Sequence, residues 1–371
     1  MRAGVVGVVH RTPFATSLPL RHVRARVTCS SSSEPAFLKI EKLLLTSTCM
    51  PLDCSHLSYA LYTGESIRSP GSRHGLIPLA IPLSENLSGA VTALLRWPTA
   101  PPGMEMPVVE VRKHGVWLLA NNVDQFIHRI LVEEDVHGSN GELFHASSEA
   151  GKKLYTRGDF AESQISSLDV YILKKVGLFP DVLEHKVMRH FEEGDQVRNV
   201  WFWSLVLDFE CACGYGNFFL SLFDNYGWKV SALVTGEFYT KKELFPGFGR
   251  PFVFNAEVLL KVGRTSEAKD SARVALKSPW WTLGCAYQDV ASIAQWEDEQ
   301  IEYIKEKVTE EGRQEDLKKG KAPAQVALDE AAFLLDLASI EGTWGDYVDR
   351  IAECYKEAGL NAIADFILYR D

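Results

Sequence analysis

The sequence predicts a mainly α chain, with antiparallel helical hairpins stacked side by side and a small α/β cap toward the N-terminus. Three observations carry this. Across residues 252–279, apolar positions recur at helical spacing on both sides of a Gly263-Arg264-Thr265 break. Related patterns of small and aromatic residues recur at 151–170 and 335–354. A stretch with β-hairpin texture, residues 107–120, precedes the helical part.

The first 33 residues stand apart. They hold Arg2, Arg11, Arg21, Arg24 and Arg26, and the first acidic residue is Glu34. A basic, hydroxyl-rich, acid-free leader without a continuous apolar run has the composition of an organelle transit peptide. Arg24-Ala-Arg26-Val-Thr-Cys29 resembles the processing region of chloroplast transit peptides, which implies cleavage near Val27 to Cys29. The chain is acidic, with a formal charge of −10. Removing the five leader arginines leaves 34 Lys/Arg against 49 Asp/Glu, a charge of −15. Nucleic acid needs a basic face, so this balance disfavours it as a partner; a basic protein partner fits. Apolar content of 46% and charged content of 24% are those of a soluble globular protein, and no integral membrane segment is expected. Seven cysteines show no framework spacing; one falls in the leader and two in residues 197–229, and the remaining four read as reduced structural thiols.

In chain order, residues 34–75 read as irregular, with Pro, Ser and Gly accumulating at 66–75. Residues 76–135 read as the small α/β cap. Its opening apolar stretch, 76–83, is broken by Pro78 and Pro82 and is at best an edge strand. Ser84 then caps a helix through Leu87, Val91, Leu94, Leu95 and Trp97. A β-hairpin turns at Lys113-His114-Gly115, and a helix follows at 124–131 through Phe126, Ile127 and Ile130. Such a cap covers the open end of a repeat stack.

Residues 136–311 read as the hairpin body. The first hairpin spans 147–175, with Gly158 at its turn, Phe160 over the turn and Ser163 five residues on. A helix at 180–193 places Val182, Leu183, Val187 and Phe191 on one face, and 236–251 reads as a loop. In the central hairpin Gly263 ends one helix without a Cβ penalty. Ala268, Ala272 and Ala275 give the next helix a small face, and Pro279 stops it. This spacing of small residues resembles the tetratricopeptide helix-turn-helix, a unit of about 34 residues. Leu259 stands where that family usually has tyrosine. After Pro279, Trp280-Trp281 opens a long helix reaching about Glu310. Residues 312–323 read as a solvated linker, and 324–371 as three C-terminal helices at 326–340, 344–357 and 360–369.

The repeat spacing isolates one anomalous segment. Gly158 to Gly194 is 36 residues, but Gly194 to Gly263 is 69. Residues 197–229 are dense in Trp, Phe, Cys and Gly, and these 33 residues account for the excess. The segment reads as an insertion into a repeat or the product of a retained intron. Asp208, Glu210, Asn217 and Asp224 disfavour a membrane span. Cys211-x-Cys213 lacks a second Cys/His pair for a metal site.

No catalytic constellation emerges, and no catalytic, cofactor or metal residues are assigned. Residues 236–249 lack the phosphate-loop order, and Gly214-Tyr-Gly216 follows no clean strand. His185 and His190 are five apart and point to different faces. Trp280 and Trp281 are the candidate partner-binding residues. Two adjacent tryptophans cannot share one helix face, so one is expected in the core and the other in a groove or at the surface. The competing reading packs both between helices.

The segments Val108-Val109-Glu110-Val111 through Ala120, LFHASSEAGKKLYTRGDFAES, TGEFYTKKELFPGFGRP and SPWWTLG together resemble plant chloroplast ATP synthase assembly factors of the tetratricopeptide-like class. The resemblance covers about 76–371 apart from 197–229. It implies a non-enzymatic factor of the chloroplast stroma, without cofactors, that helps an ATP synthase subunit, the gamma subunit above all, into the coupling-factor head. A protein-binding cochaperone or an RNA-binding helical-repeat protein of the plastid is the alternative. The cochaperone requires a basic carboxylate clamp, and the RNA binder a basic face.

Overall fold

The computed structural model describes residues 66–100, 105–138, 148–192, 229–241, 244–296 and 298–370. The leader 1–33 and residues 197–228 of the anomalous segment lie outside them, as does Gly194. The described residues are mainly helical, with a small antiparallel sheet at the N-terminal end.

The sheet is a meander whose spatial order follows the chain: β1 (Ser66–Ile67), β2 (Ala80–Glu85), β3 (Val91–Leu95), β4 (Val108–Arg112) and β5 (Gly115–Ala120). The β4–β5 hairpin turns where its alternation predicts. The expected helix through Val91 and Leu95 is instead strand β3. Apolar residues at 87, 91, 94 and 95 match a helix period, but Val91, Ala93, Leu94 and Leu95 are all buried, as in a strand covered on both faces. The turn before it is built by Asn86, whose Oδ1 accepts from the Ser88 and Ala90 amides, with Gly89 at φ +82°. Strand β2 lies between β1 and β3 rather than at the edge. Pro82 is accommodated where its register with β3 shifts.

Helix α1 (Val123–His137) follows, capped by the Asn122 side chain accepting from the Gln125 amide. The expected first hairpin is not a pair of long helices. It comes as α2 (Ser148–Leu154), α3 (Asp159–Glu162) and α4 (Leu168–Tyr171), running into a π-helical turn at Ile172–Val176. Asp135 ties these pieces down by accepting from the Tyr155 hydroxyl at 2.7 Å and the Gly158 amide at 2.9 Å.

Helices α5 (Pro180–Glu192), α6 (Lys229–Tyr239), α7 (Arg250–Lys261) and α8 (Thr265–Ala275) pack each against the next. Part of the expected 236–251 loop is therefore helical at both ends. The α7–α8 hairpin is the one predicted. Gly263 sits at φ +85°, and Arg264 N–H donates to the Leu259 carbonyl in the wrap that closes a helix C-terminus. Ala268, Ala272 and Ala275 are buried between the helices.

The single long helix expected after Pro279 is broken into three. A 3₁₀ turn (Trp280–Thr282), α9 (Tyr287–Ala294) and α10 (Glu299–Lys307) are separated by Gly284 at φ +74° and Gln295 at φ +51°. The expected linker 312–323 is largely helix α11 (Glu310–Lys318), capped by Thr309 accepting from Gly312 N–H. Helices α12 (Pro323–Glu341), α13 (Trp344–Glu357) and α14 (Asn361–Leu368) complete the chain.

Among the described residues, two hydrophobic cores result. One joins the sheet, α1, α5 and α6 to α12, α13 and α14; the other joins α7, α8, α9 and α10 to α12. Helix α12 serves both, and ten of its 19 residues are buried.

Candidate interaction surface

The 3₁₀ turn holding the candidate tryptophans is the point where both cores meet. Trp280 and Trp281 are each 2% exposed, so both are packed inside, as the competing reading expects, and neither lies in a groove or at the surface. The 3₁₀ turn sends the two indoles in different directions. Trp280 enters the second core against Tyr287, with ring centroids 4.2 Å apart, and its indole N–H donates to the Leu276 carbonyl. Trp281 enters the first core against Trp97 at 5.0 Å. The Trp280 amide donates to Asp336 of α12, and Thr282 Oγ1 accepts from Gly249 N–H at 2.9 Å. The tip of the β4–β5 hairpin also docks here. A Cβ at Gly115 would stand 2.0 Å from the Trp281 carbonyl oxygen. His114 Nδ1 lies 3.0 Å from the Ser339 carbonyl.

A second joint fastens the sheet to the middle helices. Arg250 donates to both carboxylate oxygens of Glu184 on α5 and to Glu257 on its own helix. Glu184 also accepts from the Tyr239 hydroxyl at 3.1 Å. Burial works against the Arg250 charge, but hydrogen bonds and attraction from Glu184 and Glu257 prevail and hold its pKa above the ordinary value. The Trp117 ring of β5 receives both Arg112, at 4.4 Å, and Arg250, at 5.0 Å. Among the described residues no group of three or more His, Cys, Asp and Glu side chains could hold a metal ion, and no helix is long and apolar enough to cross a membrane.

Chemistry useful for recognition lies on the outside of the C-terminal helices. Residues 298–370 carry 17 Asp/Glu against nine Lys/Arg, whereas residues 229–296 carry six against nine. The inner carboxylates are spent on structure. Glu330, 2% exposed, accepts from Arg313 of α11 and Arg350 of α13. Asp316 accepts from Lys307 and Lys321. These pairs explain why a charged stretch is helical rather than a linker: α11 is docked by ion pairs more than by apolar burial. Their spacing in sequence, up to 44 residues for Arg313 and Glu357, left no local signal.

The outer carboxylates are different. Glu299, Glu302 and Glu306 are exposed along α10, around Tyr303, which is 51% exposed. On α13, Asp346, Asp349 and Glu353 are exposed at the spacing of one helix face. Beside them, α13 and α14 flank a groove of about 620 Å³ lined by Asp349, Arg350, Ala352, Glu353, Lys356 and Leu368. The groove between two helices has no signature in the sequence of either.

The chain matches three family models in succession: PAB N-terminal over residues 47–175, PAB middle domain over 224–297 and PAB C-terminal domain over 301–369. The unmatched interval 176–223 contains most of the anomalous segment. No solved structure matches the chain. It is 61% identical over 364 residues, 98% of both chains, to the Arabidopsis thaliana protein named Protein IN CHLOROPLAST ATPASE BIOGENESIS, chloroplastic. The sheet, the middle helices and the acidic C-terminal helices thus correspond in order to the three parts of one family, and this chain belongs to the PAB family.

Proposed function

We propose that this chain is a non-catalytic assembly factor of the chloroplast stroma that helps build the coupling-factor head of the ATP synthase by binding its gamma subunit. The observation that carries the reading is the 61% identity across 98% of a protein named for chloroplast ATPase biogenesis. The acid-free leader before Glu34 supports the compartment. The serial packing of α5 to α8 supports a tetratricopeptide-like pile as its scaffold.

The charge distribution supports a mode of binding. An excess of carboxylates on the outer side of the C-terminal helices attracts a basic client segment, speeds its capture and weakens as salt rises. Trp280 and Trp281, buried at the junction, act in this reading by holding the surface in place. The test uses the full chain as bait for purified gamma and beta subunits at low and high ionic strength. Capture of gamma at low salt, lost at high salt, is expected. No capture of gamma, or capture indifferent to salt, overturns the proposal.

A further inference from the structure

Three arginines from distant parts of the chain meet at the C-terminal end of α14. Arg73, between β1 and β2, is 2% exposed. Its guanidinium donates to the Phe366 and Pro78 carbonyls and lies 4.1 Å from the Phe366 ring centroid. Its Nε is buried without a hydrogen-bond partner. Arg96, half-buried directly after β3, approaches the same ring at 4.8 Å. Arg370, exposed just beyond α14, donates to the Ile367 and Tyr369 carbonyls. Neither Arg73 nor Arg370 forms an ion pair among the described residues. Other deeply placed arginines are matched, Arg129 by Asp181 and Glu133, and Arg250 by Glu184 and Glu257.

What Arg73 and Arg370 meet inside the protein is carbonyl oxygen and an aromatic ring. A helix C-terminus supplies about half a negative charge, less than one guanidinium carries. Burial, and after it the charges of Arg370 and Arg96, lower the Arg73 pKa to about 9, far below the ordinary guanidinium range. A buried cation so placed is stabilised by an anion beside it. The planar fork of arginine pairs with carboxylate and phosphate oxygens alike, but charge separates the two. One carboxylate offsets a single arginine, whereas a phosphate group carries about −1.5 to −2 at neutral pH. We propose that Arg96 and Arg370 form the mouth of a phosphate-binding site, with buried Arg73 adding its charge from within. Arg96 follows a sheet strand and Arg370 follows the last helix, so a phosphate bridging them ties the sheet to α14. This site does not depend on which protein the chain assists.

The test uses the full chain. Its melting temperature is followed in phosphate, in acetate and in chloride at equal ionic strength, and binding is read independently from broadening of the phosphate phosphorus NMR signal. Saturating phosphate is expected to raise the melting temperature by about 2 °C over chloride, with no rise in acetate. Arg96→Gln and Arg370→Gln, neither at a buried position, should each lose most of that rise and bind about tenfold more weakly. Lys356→Gln, an exposed cation on α13, should behave as the wild type does. A rise shared equally by the wild type and both arginine variants is the general effect of an excluded salt and overturns the site. Acetate acting as strongly as phosphate overturns it as well. Phosphoserine bound as tightly as inorganic phosphate assigns the site to a phosphate group carried on a larger molecule, and binding of inorganic phosphate alone assigns it to the free ion. A phosphate response that appears only in Asp371→Asn shows that the chain's own carboxylate offsets the arginines, and overturns the external anion.

Discussion

The α7–α8 and α12–α13 hairpins are built on one plan and finished in two ways. Each closes on a left-handed glycine, Gly263 at φ +85° and Gly342 at φ +77°. Each brings its helices together over small side chains, Ala268, Ala272 and Ala275 in one, Ala331 and Ala338 in the other. In the middle hairpin the polar content of the seam is slight, an Asn255–Ser271 contact at 3.2 Å. In the C-terminal hairpin Glu330 is buried and draws Arg313 and Arg350 to it. The difference lies in what each hairpin must hold. The middle one receives apolar neighbours, and close packing suffices. The C-terminal one must dock α11, which is mostly charged, and ion pairs do that. Surface charge varies independently again, with excess base on the middle helices and excess acid on the last ones. Helix packing and surface charge are thus set by different residues of the same elements.

The largest effect should come from the joint that both hairpins share. Gly115→Ala places a Cβ 2.0 Å from the Trp281 carbonyl at φ +145°, so the hairpin tip must lift from both cores. A loss of about 3 kcal/mol or more is expected in denaturant unfolding; an unchanged midpoint would show that the tip is not clamped. Next, Glu330→Gln should cost about 2 kcal/mol, because Arg313 and Arg350 lose their buried counter-charge. Hydrogen exchange should then rise in α11 and α13 while α7 and α8 stay protected.

The two closing glycines sharpen the comparison directly. Gly263→Ala meets open space and carries only the backbone strain of φ +85°, about 1 kcal/mol. Gly342→Ala adds a 2.7 Å approach to the Lys113 carbonyl and should cost about twice as much by thermal melting. Equal losses would mean that the β4–β5 tip yields freely at that point.

The smallest effect is one of pH. Burial raises the Asp316 pKa, but hydrogen bonds from Lys307 and Lys321 outweigh it and hold the carboxyl below its ordinary value. A depressed carboxylate stabilises the fold fully above its unfolded pKa and is lost as pH falls through the folded value. Below about pH 4, α11 should therefore loosen before the α7–α8 hairpin, by about 1 kcal/mol. Hydrogen exchange of the two segments across an acid series measures it, and simultaneous loosening would refute it.

Legibility followed the range of the physics involved. Helix α13 was placed at 344–357 from its sequence, because a one-sided apolar stripe with polar residues opposite leaves a clear period. Gly263 marked its turn because only a residue without a Cβ enters that conformation cheaply. Strand β3 was misread because a strand buried on both faces has no alternation to show. Helix α11 was misread because its partners, Glu330 and Glu357, lie far along the chain. Adjacency separates the two indoles, yet neither reaches the surface, because a second core lies on the other side.

By itself the sequence determined the helical character of the body, the hairpin turns, the acidity of the C-terminal third and the basic leader. All of these depend on composition or on spacings of a few residues. Only the tertiary structure decided that there are two cores, that Trp280 and Trp281 belong one to each, and that a trough opens between α13 and α14. Those features arise from contacts between residues tens to hundreds of positions apart, and local periodicity carries no record of which distant surface will close over a given side chain.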